Sequence, residues 1–338
     1  MRQTKCDRAK RLRKLFPYAR RGMVRRRDDR ELRIRRYSFG PREAILLCLV
    51  TLVFVAVAEG QKSPRELKVA AVQFRSSFHV QDNLQRMSKV LSDLAMQGVQ
   101  VAAFPECALT GYYRTPEMPT PEKEIADAEE RLEGVCRTNK IAAVIGSVYK
   151  VQGHTYDTAI VIDSRGKVVE RYGKIYLAAE KWAVPGNHIA YFDLEGVPSS
   201  VLICHDERYP EIIRLPALQG ARIVYYISSE SPVKFESKLA PYRAQMMARA
   251  VENRISVVAA NAPANDDLSG SHGESRIIAD DGNVLAEATI FGEDALVRTL
   301  TISSDQSGWQ TKVLHGPMQD WWQAGLDWMM KNRNRPLE

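Results

Sequence analysis

Short, wholly apolar runs alternate with amphipathic ones from Leu67 to Ile302, and this alternation constrains the chain more than any other feature. LKVAAVQF (67–74), VQVAAF (99–104), IAAVIGSV (141–148), YDTAIVID (156–163) and KVVERY (167–172) read as strands. So do VPSSVLIC (197–204), RIVYYI (222–227) and ISVVAAN (255–261), and GESRIIAD (273–280), NVLAEA (283–288) and ALVRTLTI (295–302) add three more. Residues 83–97, 122–139, 209–219 and 239–254 read as helices, the first with Leu and Met along one face. Apolar strands with no alternating polar face are buried on both sides, which points to a layered α/β fold. Asp281-Gly282 between two of the late runs is the signal for a type I′ hairpin turn.

Before this region the chain is different. Residues 1–43 carry 17 Lys/Arg and 5 Asp/Glu, a net of +12, so with a whole-chain charge of +7 the rest carries −5. The basic excess is therefore one N-terminal arm, and the remainder of the chain carries no basic excess of the kind that draws nucleic acid. Met23 within the arm is an alternative translation start. Ala44–Ala58, AILLCLVTLVFVAVA, is 15 apolar residues ending in an A-x-A pattern. It is short for a span and follows positive charge, as in the apolar region of a signal peptide. Export to the periplasm or outside is expected, with Glu59 as the first mature residue. An uncleaved membrane anchor over 44–58 is the alternative. Of five cysteines, Cys6 and Cys48 fall in this leader; Cys107, Cys136 and Cys204 do not make a disulfide framework.

Three polar residues close apolar strands or follow them: Glu106 after VAAFP, Lys174 after VVERYG, and Cys204 at the end of VPSSVLI. Functional groups of α/β proteins gather at strand ends. Singly, each has an ordinary explanation: a solvated loop acid, a surface lysine, a packed thiol. Together with their neighbours they form a pattern. FPECALTGY (104–112), RYGKIYL (171–177) and LICHDERYPE (202–211) resemble, in order and spacing, the glutamate, lysine and cysteine motifs of the nitrilase superfamily of carbon–nitrogen hydrolases. RAVENRISVVAAN (249–261) and GESRIIADDGNVLAEA (273–288) resemble its later segments, so the likeness runs from 67 to 302.

The resemblance implies a four-layer α-β-β-α sandwich in one domain and a homodimer or higher homo-oligomer. It implies a Glu106–Lys174–Cys204 catalytic set, with Glu180 as a second glutamate. It implies no cofactor. The chemistry is coherent. An amide carbon is a weak electrophile and needs a thiolate, and a free thiol with a pKa of about 8.5 needs a base. Glu106 can move the proton, while Lys174 and the backbone N–H of His205 can hold the oxyanion. The expected product is an acid, formed through a thioester with loss of ammonia or amine. His205 is not read as a papain-type histidine, because neighbours along an extended chain point apart. By the same argument Cys107 should face away from Glu106. No metal-ligand spacing is present.

An amidase or N-carbamoyl amidase is the first reading. Nitrile hydrolysis fits less well, since Cys204 is followed by His205-Asp206 where the nitrilase branch resembles Cys-Trp-Glu. Acyl transfer to an amine and a non-catalytic scaffold are the remaining alternatives. Specificity is expected from the loops 112–121, 228–237 and 263–272, where Ser228-Ser229-Glu230 departs from the Pro/Asn-rich form common in the family. The tail, 303–338, carries Trp309, Trp321, Trp322 and Trp328, to pack on its own domain or on a second subunit. Subunit contact is expected through residues 208–219 and 240–254.

Overall fold

The computed structural model describes residues 65–178, 180–235, 239–302 and 307–338. The basic arm and the apolar run 44–58 lie outside them. Among the described residues no helix is long and apolar enough to cross a membrane.

The apolar runs form two six-stranded sheets. The first contains β1 (Arg65–Gln73), β2 (Val101–Ala103), β3 (Ala142–Val151), β4 (His154–Ile162), β5 (Val168–Gly173) and β12 (Asp294–Ile302), in the order β12-β1-β2-β3-β4-β5. The second contains β6 (Phe192–Leu194), β7 (Val197–Ile203), β8 (Ile223–Ser228), β9 (Ser256–Asn261), β10 (Arg276–Ile278) and β11 (Val284–Glu287), in the order β11-β10-β9-β8-β7-β6. β1, β2 and β3 run parallel in one sheet, and β7, β8 and β9 in the other.

Each central strand has two apolar faces, and the side-chain alternation assigns them. Val69, Ala71, Val101, Ala103 and Val144 meet Val201, Ile203, Tyr225, Ile227 and Val258 between the sheets. The intervening Ala70, Val72, Ala102 and Ile145 pack outward beneath helices α1 (Val80–Met96) and α2 (Glu122–Asn139). Leu84, Met87, Leu91 and Leu94 of α1 and Ile125 and Leu132 of α2 supply the helical side of that layer. Each such leucine contributes on the order of 2 kcal/mol by leaving water. Leu202, Val224, Tyr226 and Val257 do the same beneath α3 (Glu211–Gln219) and α4 (Leu239–Asn253). The result is the α-β-β-α sandwich.

Departures from the sequence reading are local. β6 is a three-residue strand within a stretch that the sequence reading leaves unassigned. α1 starts at Val80, three residues before the apolar periodicity suggests. Residues 204–208 form a separate 3₁₀ turn ahead of α3. The Asp281-Gly282 turn is not type I′, which needs positive φ at both central residues. Only Gly282 is left-handed, at φ +86°. Its N–H donates to Ala279 O at 2.9 Å, and the register shifts at Ile277/Ile278, so the hairpin is a wider turn beside a bulge.

The tail forms α5 (Ser307–Leu314) and α6 (Gln319–Asn332). Leu326 and Met329 pack on Leu215, Leu218 and Ile189 of their own domain. Trp321 and Trp328 remain exposed.

Candidate active site

The site lies at the carboxyl ends of strands from both sheets. Beyond β2 the chain makes a tight turn in which Cys107 is left-handed, at φ +51°. Gly146 of β3 lies against this turn. A Cβ there would sit 2.1 Å from Pro105 O and 2.6 Å from Glu106 Cα, so the close approach requires glycine. Glu106 is thereby directed into the interior, fully buried. Lys174 follows β5, and its N–H donates to Asp157 O at 2.8 Å.

The Lys174 ammonium is surrounded by carboxylates. Its Nζ is 2.5 Å from Glu106 Oε1, 2.7 Å from Glu180 Oε1 and 3.6 Å from Asp157 Oδ2. One oxygen of each acid lies within 4.8 Å of the others, a spacing that could hold a metal ion. The cation seated there is the ammonium. The remaining oxygens are tied as well. Glu106 Oε2 accepts the Ser229 N–H at 2.7 Å, Glu180 Oε2 accepts the Ala178 N–H at 2.7 Å, and the Tyr112 hydroxyl donates to Glu180.

Cys204 closes β7 in a left-handed conformation, φ +46°, unusual for a residue with a side chain. Asp206 holds this turn. Its carboxyl accepts from Tyr172 OH at 2.7 Å, Tyr176 N–H at 2.8 Å and Ile203 N–H at 3.2 Å. Cys204 is half-buried, whereas Cys107 and Cys136 are buried. Cys107 does not face away on an extended segment as the sequence suggests. The turn brings its Sγ to 3.7 Å from Asp157 Oδ1, against the same cluster. His205 is half-buried, with its ring edge-on to Tyr209.

Burial and neighbours divide the protons. Burial alone would lower the Lys174 ammonium, but Glu106, Cys204, Asp157 and Glu180 raise it well above its ordinary value. Burial pushes Glu180 up, and Lys174 with the Tyr112 and Ala178 donors outweighs this to hold it at about 2. Burial and Glu106 raise Asp157 well above its ordinary value, against Lys174, and so favour its neutral form. Burial and Glu106 also raise the Cys204 thiol, against Lys174.

Sequence reasoning singled out Glu106, Lys174, Cys204 and Glu180, and the structure brings the first, second and fourth into contact. It missed Asp157 and Tyr112. An aspartate inside the apolar run YDTAIVID was the available signal. Beside the cluster is a cavity of about 180 Å³ lined by Tyr112, Ser229, Arg75, Arg114, Asn265 and Ser271 among others. It draws on all three loops expected to set specificity, and on a fourth, after β1, that was not singled out. Larger clefts beside the start of α1 and beside Tyr149 contain none of the lysine–carboxylate cluster.

Two facing sheets with this cluster and Cys204 at their strand ends fit the class of enzymes that hydrolyse amide-type carbon–nitrogen bonds. The chain belongs to the carbon–nitrogen hydrolase family, whose model matches residues 68–308. It is 28% identical over 235 residues to a 2-oxoglutaramate amidase of Bacillus subtilis, covering 68% of this chain and 88% of that one. Against the human omega-amidase NIT2 the identity is 26% over 246 residues, covering 68% and 86%. An amidase from Nesterenkonia sp. AN1, solved in complex with butyramide, is 26% identical and superposes with a TM-score of 0.63 over 70% of this chain and 91% of that one.

Proposed function

We propose that the enzyme hydrolyses short linear amides through a thioester on Cys204, and that the acyl part carries a carboxylate at its far end. The observation that carries the catalytic reading is the Lys174 ammonium fixed among buried acids, beside the half-buried Cys204 at its strained strand end.

Burial and Glu106 favour the thiol form of Cys204, against Lys174. Attack therefore couples to proton transfer. The Cys204 sulfur bonds to the amide carbon while its proton passes to Glu106. Lys174 and the His205 N–H stabilise the charge on the carbonyl oxygen. Glu106 then protonates the nitrogen, the carbon–nitrogen bond breaks, and ammonia leaves. Water attacks the thioester, giving its proton to Glu106. The carbon–sulfur bond breaks, and the thiolate recovers that proton. Lys174 stays protonated throughout, and Glu180 and Asp157 hold it in place.

The cavity supports the carboxylate. Arg75 and Arg114 line it with no acidic side chain among the lining residues. Among the described residues neither guanidinium forms an ion pair; Arg75 donates to Ala264 O at 2.8 Å, and Arg114 lies over the Tyr112 ring. Paired guanidiniums without acids favour an anionic group. The volume is below the roughly 300 Å³ of pockets for drug-sized ligands, which suits a small acid amide. The 2-oxoglutaramate of the Bacillus subtilis relative's name is such a compound.

Ammonia release from succinamate and from neutral butyramide tests both parts. We expect succinamate to have a kcat/KM about tenfold or more higher, from one charge-assisted contact. Equal values would remove the carboxylate from the proposal. No ammonia from either, or turnover surviving Cys204→Ser, would overturn the amidase reading.

A further inference from the structure

A second buried polar cluster lies behind the nucleophile's turn. Glu207 of that turn, Tyr226 of β8, Glu230 just beyond β8 and His272 in the loop after β9 are all buried. The Tyr226 hydroxyl donates to Glu230 Oε1, and His272 Nε2 is 3.1 Å from Glu230 Oε2. The other ring nitrogen of His272 is 3.3 Å from Ser231 O. The Tyr242 ring lies parallel to that of His272, centroids 6.3 Å apart.

The backbone of this segment is held residue by residue. Ser228 O accepts the Ala262 N–H at 3.2 Å. The Ser229 N–H donates to Glu106 Oε2 at 2.7 Å. The Glu230 N–H donates to Asn261 Oδ1 at 3.4 Å, and Ser231 O meets His272. Four consecutive residues are tied down, and one of the ties ends on Glu106. With Oε1 on Lys174 and Oε2 on Ser229, both carboxylate oxygens are anchored and its plane cannot turn.

A buried carboxylate destabilises a fold more than an apolar side chain of the same size. Glu230 occupies such a buried position in the loop just beyond β8. A role for it is found in what it holds. We propose that Glu230 and His272 are positioning residues for Glu106: they pin the loop so that the Ser229 N–H fixes the second oxygen of the base. The inference rests on the reading of Glu106 as proton carrier.

The test is the rate of Cys204 alkylation by iodoacetamide, read by intact mass and peptide mapping. In that reaction the sulfur displaces iodide from carbon and the thiol proton passes to Glu106, so it reports the base without any amide substrate. Butyramide kinetics run alongside. Glu230→Ala should slow alkylation about tenfold and lower kcat at least as much, with KM within about threefold, as expected of directly coupled groups. His272→Ala, which leaves the Tyr226–Glu230 contact, should act in the same direction by a smaller factor. Glu230→Gln keeps an oxygen to accept from the Tyr226 hydroxyl and offers an amide N–H to His272 Nε2, whose other ring nitrogen faces Ser231 O, and should return to within about threefold of the wild type. In Glu106→Asp, whose carboxyl is drawn back from Ser229, adding Glu230→Ala should change the alkylation rate less than about twofold. Wild-type alkylation in both Glu230→Ala and His272→Ala would overturn the proposal. So would an equal loss in the Glu106→Asp background, which would mark a general structural effect. If the wild type is alkylated at Cys204 but releases no ammonia from butyramide or succinamate, the amidase reading fails while the alkylation arms still decide this one.

Discussion

At the scale of single residues, burial decides who carries charge. Lys174 is the counter-ion of the cluster as well as the proposed oxyanion donor. Lys174→Ala is expected to lower kcat/KM by about a hundred- to a thousandfold. It should also destabilise the fold by roughly 3–5 kcal/mol, because buried acids are left without their cation. Steady-state kinetics and thermal melts at one pH check both. Glu207 offers a pH test. Burial, then Glu230, raises its carboxyl to about 8. In the unfolded chain it titrates near 4.3, so the folded state binds the extra proton between roughly those values. Its contribution to stability is therefore full below about pH 4.3 and lost as the pH rises through about 8. Glu207→Gln should flatten the fall in Tm between pH 5 and pH 9, and an unchanged profile would contradict the assignment. The sequence revealed residues whose neighbours are informative: Glu106, Lys174 and Cys204 each follow an apolar strand. Tyr112, Ser229 and His272 act through contacts with residues far along the chain, and local sequence carries no trace of such pairings.

At the scale of elements, the strands were readable because burial on both faces leaves an unbroken apolar run. β6 was not, since Phe192–Leu194 offers one buried–exposed–buried alternation and no more. The early start of α1 escaped for a related reason: Val80 is buried but separated from the apolar stripe by Gln81 and Asp82. The turn at Gly282 shows that a dipeptide signals a hairpin without choosing its geometry. Gly146 provides a test at this scale. Gly146→Ala places a methyl against Pro105 O and the Cys107 N–H, so the turn carrying Glu106 has to move. A shift of about 1 Å in a reacting group costs on the order of a hundredfold in rate. Activity should fall by about that factor while the circular-dichroism spectrum stays that of the wild type.

At the scale of the whole molecule, the sandwich was inferable from a resemblance over residues 67–302, and the tail was not, because four tryptophans announce burial without naming the surface. Met329 and Leu326 give part of the answer by packing on Leu215 and Leu218. The exposed Trp321 and Trp328 leave an apolar face on α6. We propose that the enzyme is a homodimer, and light scattering at micromolar concentration is expected to give twice the chain mass; a monomer would count against it. We also propose export with cleavage after Ala58. N-terminal sequencing from the native host should begin at Glu59, and peptides from before Ala44 on the mature protein would favour an anchor.

Glu106, Asp157 and Lys174 hang from one sheet, while Cys204 and Ser229 hang from the other, and the apolar layer that includes Val69, Val101, Val144, Val201, Ile203 and Val258 fills the space between them, with the Ser229–Glu106 and Tyr172–Asp206 hydrogen bonds crossing it at the site. Turnover is thus a gauge of that gap. Two rigid plates clamped by a soft filling keep their own shape when the filling is changed, yet the tools mounted on opposite plates no longer meet. Trimming one or two carbons there, as in Ile203→Val or Val201→Ala, would leave every strand in place and most of the stability intact. The damage would surface first in the rate, long before heat or denaturant disclosed it.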